Sequence, residues 1–136
     1  MRTRVLSLAL ALASTNPAAA TLYRCEATGV ADPLSTGSLS ERDNSSQIML
    51  DAGYAVTFDA ESGLLRTAVG KFGQSSPLRF SIVYPGSKEN DLVAFYQGTC
   101  FASCPFSVLK IRVWEHSMPF VYLTASGSVW SGRCSK

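Results

Sequence analysis

The sequence predicts an all-β fold, a single-domain antiparallel β-barrel or sandwich of about eight short strands behind a cleaved signal peptide. Three observations lead there. Short apolar runs recur at regular spacing, and each is ended by Gly, Pro, Ser, Asn or Asp. The clearest run, Phe106 to Trp114, alternates with period two, setting Leu109, Ile111 and Val113 against Lys110 and Arg112. Such alternation puts one face in a core and the other in water. No stretch beyond the N-terminal segment carries a convincing amphipathic helical pattern.

Residues 1–20 read as a targeting segment. Arg2 and Arg4 form a positive start, Val5 to Ala13 a short apolar run, and Ala18-Ala19-Ala20 a small-residue cleavage site after the Asn16-Pro17 break. The apolar run is too short to cross a bilayer, which takes about 20 such residues. Cleavage after Ala20 leaves one exported domain, residues 21–136. Two of the 12 basic residues leave with the signal, so the mature chain balances its 10 acidic residues and carries no net charge. Nothing in it resembles the basic stripe that nucleic acid requires. No second apolar run reaches transmembrane length. The expected location is the periplasm or the extracellular space.

Leu22 to Ala27 is the expected first strand. Thr28 to Gln47, rich in Gly, Pro, Ser, Asp and Asn, reads as a long surface connection with at most a turn of helix after Ser40. It contains Asn44-Ser45-Ser46, a glycosylation acceptor pattern. Ile48 to Leu50 opens a strand. Tyr54 to Asp59 and Leu64 to Val69 form a hairpin around Glu61-Ser62-Gly63, where Gly63 suits a left-handed residue. Phe72 to Pro77 is a loop. Leu78 to Tyr84 alternates, with Leu78, Phe80, Ile82 and Tyr84 inward, until Pro85-Gly86 stops it. Leu92 to Gln97 and Phe106 to Trp114 make the next hairpin. Phe120 to Ala125 and Val129 to Cys134 are the last strands. Short connections between neighbours favour a meander.

All four cysteines lie in the mature chain. In an exported protein an even number of cysteines reads as disulfides, and four allow three pairings. Cys25 near the new N-terminus and Cys134 near the C-terminus favour one long bridge, leaving Cys100 with Cys104 in the hairpin loop. A bridge joining first and last strands suits a barrel that removes its own edges. The loop also has a second reading. Cys100-x3-Cys104-Pro105 resembles the copper-binding loop of exported copper-delivery proteins related to cytochrome oxidase assembly. That resemblance implies a copper-handling protein, with His116 and Met118 as further soft ligands.

No catalytic motif stands out, and the ten acidic residues scattered over loops and strands leave a carboxylate pair open. His116 is the single histidine, at a strand end beside Glu115. Ser126-Gly127-Ser128 and Ser131-Gly132 lack the spacing of a nucleophile elbow. There is no zinc, calcium, phosphate-loop or dinucleotide fingerprint. We therefore expect a non-enzymatic protein without a cofactor. The remaining handle is aromatic and cationic surface. Phe106, Lys110, Arg112 and Trp114 share one face of their strand, and Tyr96 and Tyr122 on neighbouring strands are expected to join it. Such mixtures form recognition patches.

Tyr23-Arg24-Cys25 and Gly132-Arg133-Cys134 resemble the ends of bacterial inhibitors of c-type lysozyme, which are small exported barrels. The inner Ser-Gly-x-x-Tyr loop of that family has no counterpart here, so the resemblance implies enzyme inhibition as a class and no site residues. The expectation is a disulfide-stapled envelope domain that binds a protein, glycan or small ligand, with copper handling as the alternative.

Overall fold

The computed structural model describes residues 21–34, 36–40 and 44–136. The expected signal peptide lies outside them. The elements in order are β1 (Leu22–Pro33), β2 (Leu39–Ser40), α1 (Asn44–Asp51), β3 (Tyr54–Asp59), β4 (Leu64–Val69), a 3₁₀ turn (Gly70–Phe72), β5 (Leu78–Arg79), β6 (Ser81–Pro85), β7 (Leu92–Gln97), β8 (Phe106–Ile111), β9 (Pro119–Leu123) and β10 (Val129–Ser135).

All strand pairs are antiparallel, in the order β5-β4-β3-β1-β10-β9-β8-β7-β6, with the short β2 beside the end of β1. The two ends of that path, β5 and β6, are consecutive in the chain and separated only by Phe80. One extended segment thus pairs with β4 through Leu78–Arg79 and with β7 through Ser81–Pro85. The sheet is a nearly closed barrel.

Inward positions alternate as a pleated strand requires. Tyr23 and Cys25 on β1, Val56 and Phe58 on β3, Leu65 on β4, Leu92 and Ala94 on β7, Leu109 and Ile111 on β8, Phe120 and Tyr122 on β9, and Trp130 and Cys134 on β10 are all buried. Phe80, at the joint, is 3% exposed. Its ring centroid lies 6.3 Å from Phe58, 5.7 Å from Tyr96 and 6.3 Å from Tyr122. Tyr54 stacks on Trp130 at 3.9 Å. Burial raises the Tyr122 hydroxyl above its ordinary pKa, against a hydrogen bond to Ser107 that lowers it. Burial, and then the neighbouring Tyr122, raise that of Tyr54 further.

The Cys25–Cys134 bridge is present, between residues directly opposite on β1 and β10 with Cα atoms 3.9 Å apart. Cys100 and Cys104 form the second bridge. Gly132, two residues before Cys134, allows the two strands to approach closely. A Cβ there would sit 2.0 Å from the Glu26 carbonyl oxygen.

Three local expectations change. The stretch Thr28 to Gln47 is not one long loop. A bulge between Ala27 and Gly29 carries β1 onward to Pro33, and Val30 and Asp32 keep pointing inward. Ile48 to Leu50 belongs to α1, which begins at Asn44, and not to a strand. Tyr84 faces out at 62% exposure, because a second bulge between Ile82 and Tyr84 reverses the alternation.

Replacing Cys25 and Cys134 together by Ser should lower the melting temperature by at least about 10 °C. The bridge closes a loop of sequence separation 109, which the chain-entropy account values at roughly 4–5 kcal/mol. A thermal melt followed by circular dichroism checks this. An unchanged midpoint would mean that strand pairing alone holds the chain ends.

Candidate functional site

Strands β7, β8 and β9 are apolar on both faces. With Leu92, Ala94, Leu109, Ile111 and Phe120 inside, the alternate residues Val93, Phe95, Val108, Val121 and Leu123 must lie outside. Register then assembles them into rows. Phe95 pairs with Val108, Val108 with Leu123, and Leu123 with Val129. In the row beside it, Tyr84 pairs with Val93, Val93 with Lys110, and Lys110 with Val121. Phe106 stacks on Phe95 with centroids 6.2 Å apart and is 47% exposed. Val83, Tyr84 and Val121 are exposed as well. The opposite side differs. Before its bulge β1 turns Leu22, Arg24, Glu26 and Thr28 outward, and β3 turns out Ala55, Thr57 and Asp59.

At one end of this face the β7–β8 connection, residues 98–105, is closed by the Cys100–Cys104 bridge and by the Gly98 amide donating to the Pro105 carbonyl at 2.8 Å. It holds Phe101 almost wholly in solvent, at 94% exposure. A short loop with two closures presents that ring with little conformational freedom to lose on contact.

At the other end sit the charges. Lys110 Nζ lies 3.0 Å from Asp91 Oδ2, and the Trp114 indole Nε1 donates to Asp91 Oδ1 at 2.8 Å. The Lys110 hydrogen bond first, and the Trp114 bond next, hold the Asp91 carboxyl below the ordinary carboxylate range. Arg112 pairs with Glu115 at 2.9 Å. A groove of about 550 Å³ runs past Lys110, Arg112, Glu115, Val121 and Arg133.

The residues singled out in the sequence therefore separate into two groups. Phe106 and Lys110 lie on the outer face, with Arg112 and Trp114 just beyond the end of β8. Tyr96 and Tyr122 do not join them. Tyr122 is 3% exposed, and both rings pack against Phe80 inside the barrel. The reason is parity: Tyr96 pairs with inward Ser107, and Tyr122 with inward Leu109. Val108 was expected on this face as well, whereas Phe95, Val121 and Phe101 were not picked out. The signal for Phe95 and Val121 was the absence of polar residues at alternate positions in LVAFYQ and PFVYL. With Cys100 and Cys104 bridged, neither sulfur is a thiolate able to hold copper. His116 and Met118 gather no group of three His, Cys, Asp or Glu side chains fit for a metal among the described residues.

Acidification should release Trp114 late. The Asp91 pKa is depressed, so its contacts are complete above the unfolded carboxylate value of about 3.9 and are lost as pH falls through the lower folded value. Trp114 emission, isolated by subtracting a Trp114→Phe protein, should stay constant down to about pH 4 and shift only below it. An Asp91→Asn protein should show no such transition. A shift centred near neutral pH would assign the contact to another group.

Comparison with family models, curated proteins and solved structures finds no match to this chain.

Proposed function

We propose that this chain is an exported, disulfide-stapled β-barrel that works without catalysis, binding a protein partner in the cell envelope through the outer face of β6 to β9. The observation that carries this reading is the contiguous apolar face itself. Apolar residues on the outside of a small barrel cost solubility and add nothing to the core, and such patches mark contact surfaces. Export is supported by the composition of residues 1–20 and by two disulfides, which persist in oxidising compartments.

The chemistry favours a protein over the other ligands. A small apolar ligand needs a concave pocket, whereas the barrel interior is filled by Phe58, Phe80, Tyr122 and their neighbours. A glycan needs convergent polar groups, and the row Phe95, Val108, Leu123 and Val129 offers none. An interface core depleted in charge and enriched in aromatics, rimmed by polar groups, is what protein partners bury. Here the rim is Lys110, Arg112 and Glu115. Inhibition of an enzyme is one form this binding can take, and the rigid 98–105 loop with Phe101 is the element suited to enter a cleft.

The test is site-specific photo-crosslinking in the producing cells. A photoreactive residue at Val108 or Phe101 should give one discrete adduct, and the same residue at Thr57, on the polar side, should give none. Phe106→Glu should abolish the adduct while leaving the melt within about 3 °C, because an exposed ring is replaced. Equal labelling at all three positions, or labelling of lipid in place of protein at Val108, would overturn the reading.

A further inference from the structure

The end of the barrel where β1 and β9 finish and β3 and β10 begin carries a different chemistry. A cleft of about 440 Å³ opens there, lined by Asp32, Ser46, Met49, Tyr54, Ser128 and Trp130 among others. Asp32 is 8% exposed. It follows Val30 on the inward side of β1, a position that strand alternation gives to apolar residues. One carboxyl oxygen, Oδ1, accepts from the Ser128 hydroxyl across a sequence separation of 96. The other, Oδ2, is buried with no hydrogen-bond partner among the described residues.

Asp32 is also the one formally charged residue among the described residues lining the cleft. No Lys or Arg among the described residues lining the cleft offsets it. Several of the rings and hydroxyls around it are already engaged. Tyr54 and Trp130 stack on each other, and the Tyr54 hydroxyl is hydrogen-bonded to Thr67. The Thr124 and Ser126 hydroxyls bond one another at 2.8 Å, and Thr124 also donates to the Ser128 carbonyl at 3.2 Å. Among the described residues Asp32 Oδ2 thus lacks a donor, and the carboxyl lacks a counter-charge. A neutral alcohol would supply the first alone. An ammonium group supplies both, and aromatic walls add to its binding.

We infer that this cleft is a binding site for a small primary amine, whose ammonium group hydrogen-bonds to Asp32 and whose carbon frame lies against Trp130, Tyr54 and Met49. The site does not depend on the outer face of β6 to β9 and would exist whether or not that face binds a protein. The terminal carboxyl torsion of Asp is broad and roughly two-fold, so a half-turn exchanges its oxygens and either can meet the ligand while the other keeps Ser128.

The probe is n-butylammonium chloride, with n-butanol as its neutral counterpart, titrated into the intact mature chain carrying Trp114→Phe so that emission reports Trp130. Saturable change with n-butylammonium and none with n-butanol at equal concentration is expected. Asp32→Asn, which keeps the shape and the bond to Ser128, should bind the amine at least about tenfold more weakly. An equal response to butanol, or an unaltered affinity in Asp32→Asn, would reduce the cleft to an apolar hollow. No saturable response would remove the site. If Asp32→Asn fails to fold, the melting temperature of the unsubstituted chain decides: a rise with the amine that butanol does not reproduce supports the site, and equal or absent shifts overturn it.

Discussion

A change of partner at Phe80 is the constraint on which this barrel depends. Leu78 and Arg79 pair with β4, and from Ser81 the same segment pairs with β7. Without that exchange the sheet would end in two open edges, which recruit further strands. The Phe80 amide donates to the Gly63 carbonyl at 2.8 Å, so the joint keeps a backbone bond where ladder pairing switches. Gly63 itself sits at φ 71°, and a Cβ on it would come within 2.3 Å of the Phe80 carbonyl oxygen. The hairpin turn and the joint are thus fitted to one another. The Phe80 side chain turns inward at the same point and fills the centre between Phe58, Tyr96 and Tyr122. Closure of the sheet and filling of the core are one event.

A filled core directs function elsewhere. Small barrels either pack their interior with side chains or hold a ligand there, and this one packs. The Cys25–Cys134 bridge lies within that interior, joining first and last strands. What remains exposed is the outside of the wall and the ends. The outside is divided: charged and hydroxyl residues predominate on β1 and β3, aliphatic and aromatic residues on β7, β8 and β9. The end carries Asp32, whose unpaired oxygen opposes stability, since a buried acceptor left without a donor costs about 1–3 kcal/mol.

The sequence was most legible where alternation was clean and polar residues marked the phase. In β8, Lys110 between Leu109 and Ile111 settles which side is wet, and the hairpin with β7 follows. The cysteine positions favoured the bridges that form. Legibility failed where phase was ambiguous. In Phe120-Val121-Tyr122-Leu123 every residue is apolar, and only pairing with Leu109 decides that Tyr122 points in. A single-residue bulge is equally silent, yet two of them extend β1 through Thr28 and turn Tyr84 outward. The contact between Asp32 and Ser128 joins residues far apart in sequence, and neither belongs to any local motif.

The apolar outer residues also bear on why the residues expected to share one patch divide between the outer face and the interior. A strand with one wet face needs apolar residues at every second position; β7, β8 and β9 place them at nearly every position. Core packing accounts for one set, and the barrel would close equally well with polar residues in the other, as β1 and β3 demonstrate on the far side. The second set is therefore not a requirement of the fold. Phe95 and Phe106 stack beside the bridged 98–105 loop, which carries the same apolar character to its tip in Phe101, and Lys110 and Arg112 on the rim are each held by a neighbouring acid. Neutralised charge around an exposed aromatic stack lowers the cost of removing that surface from water.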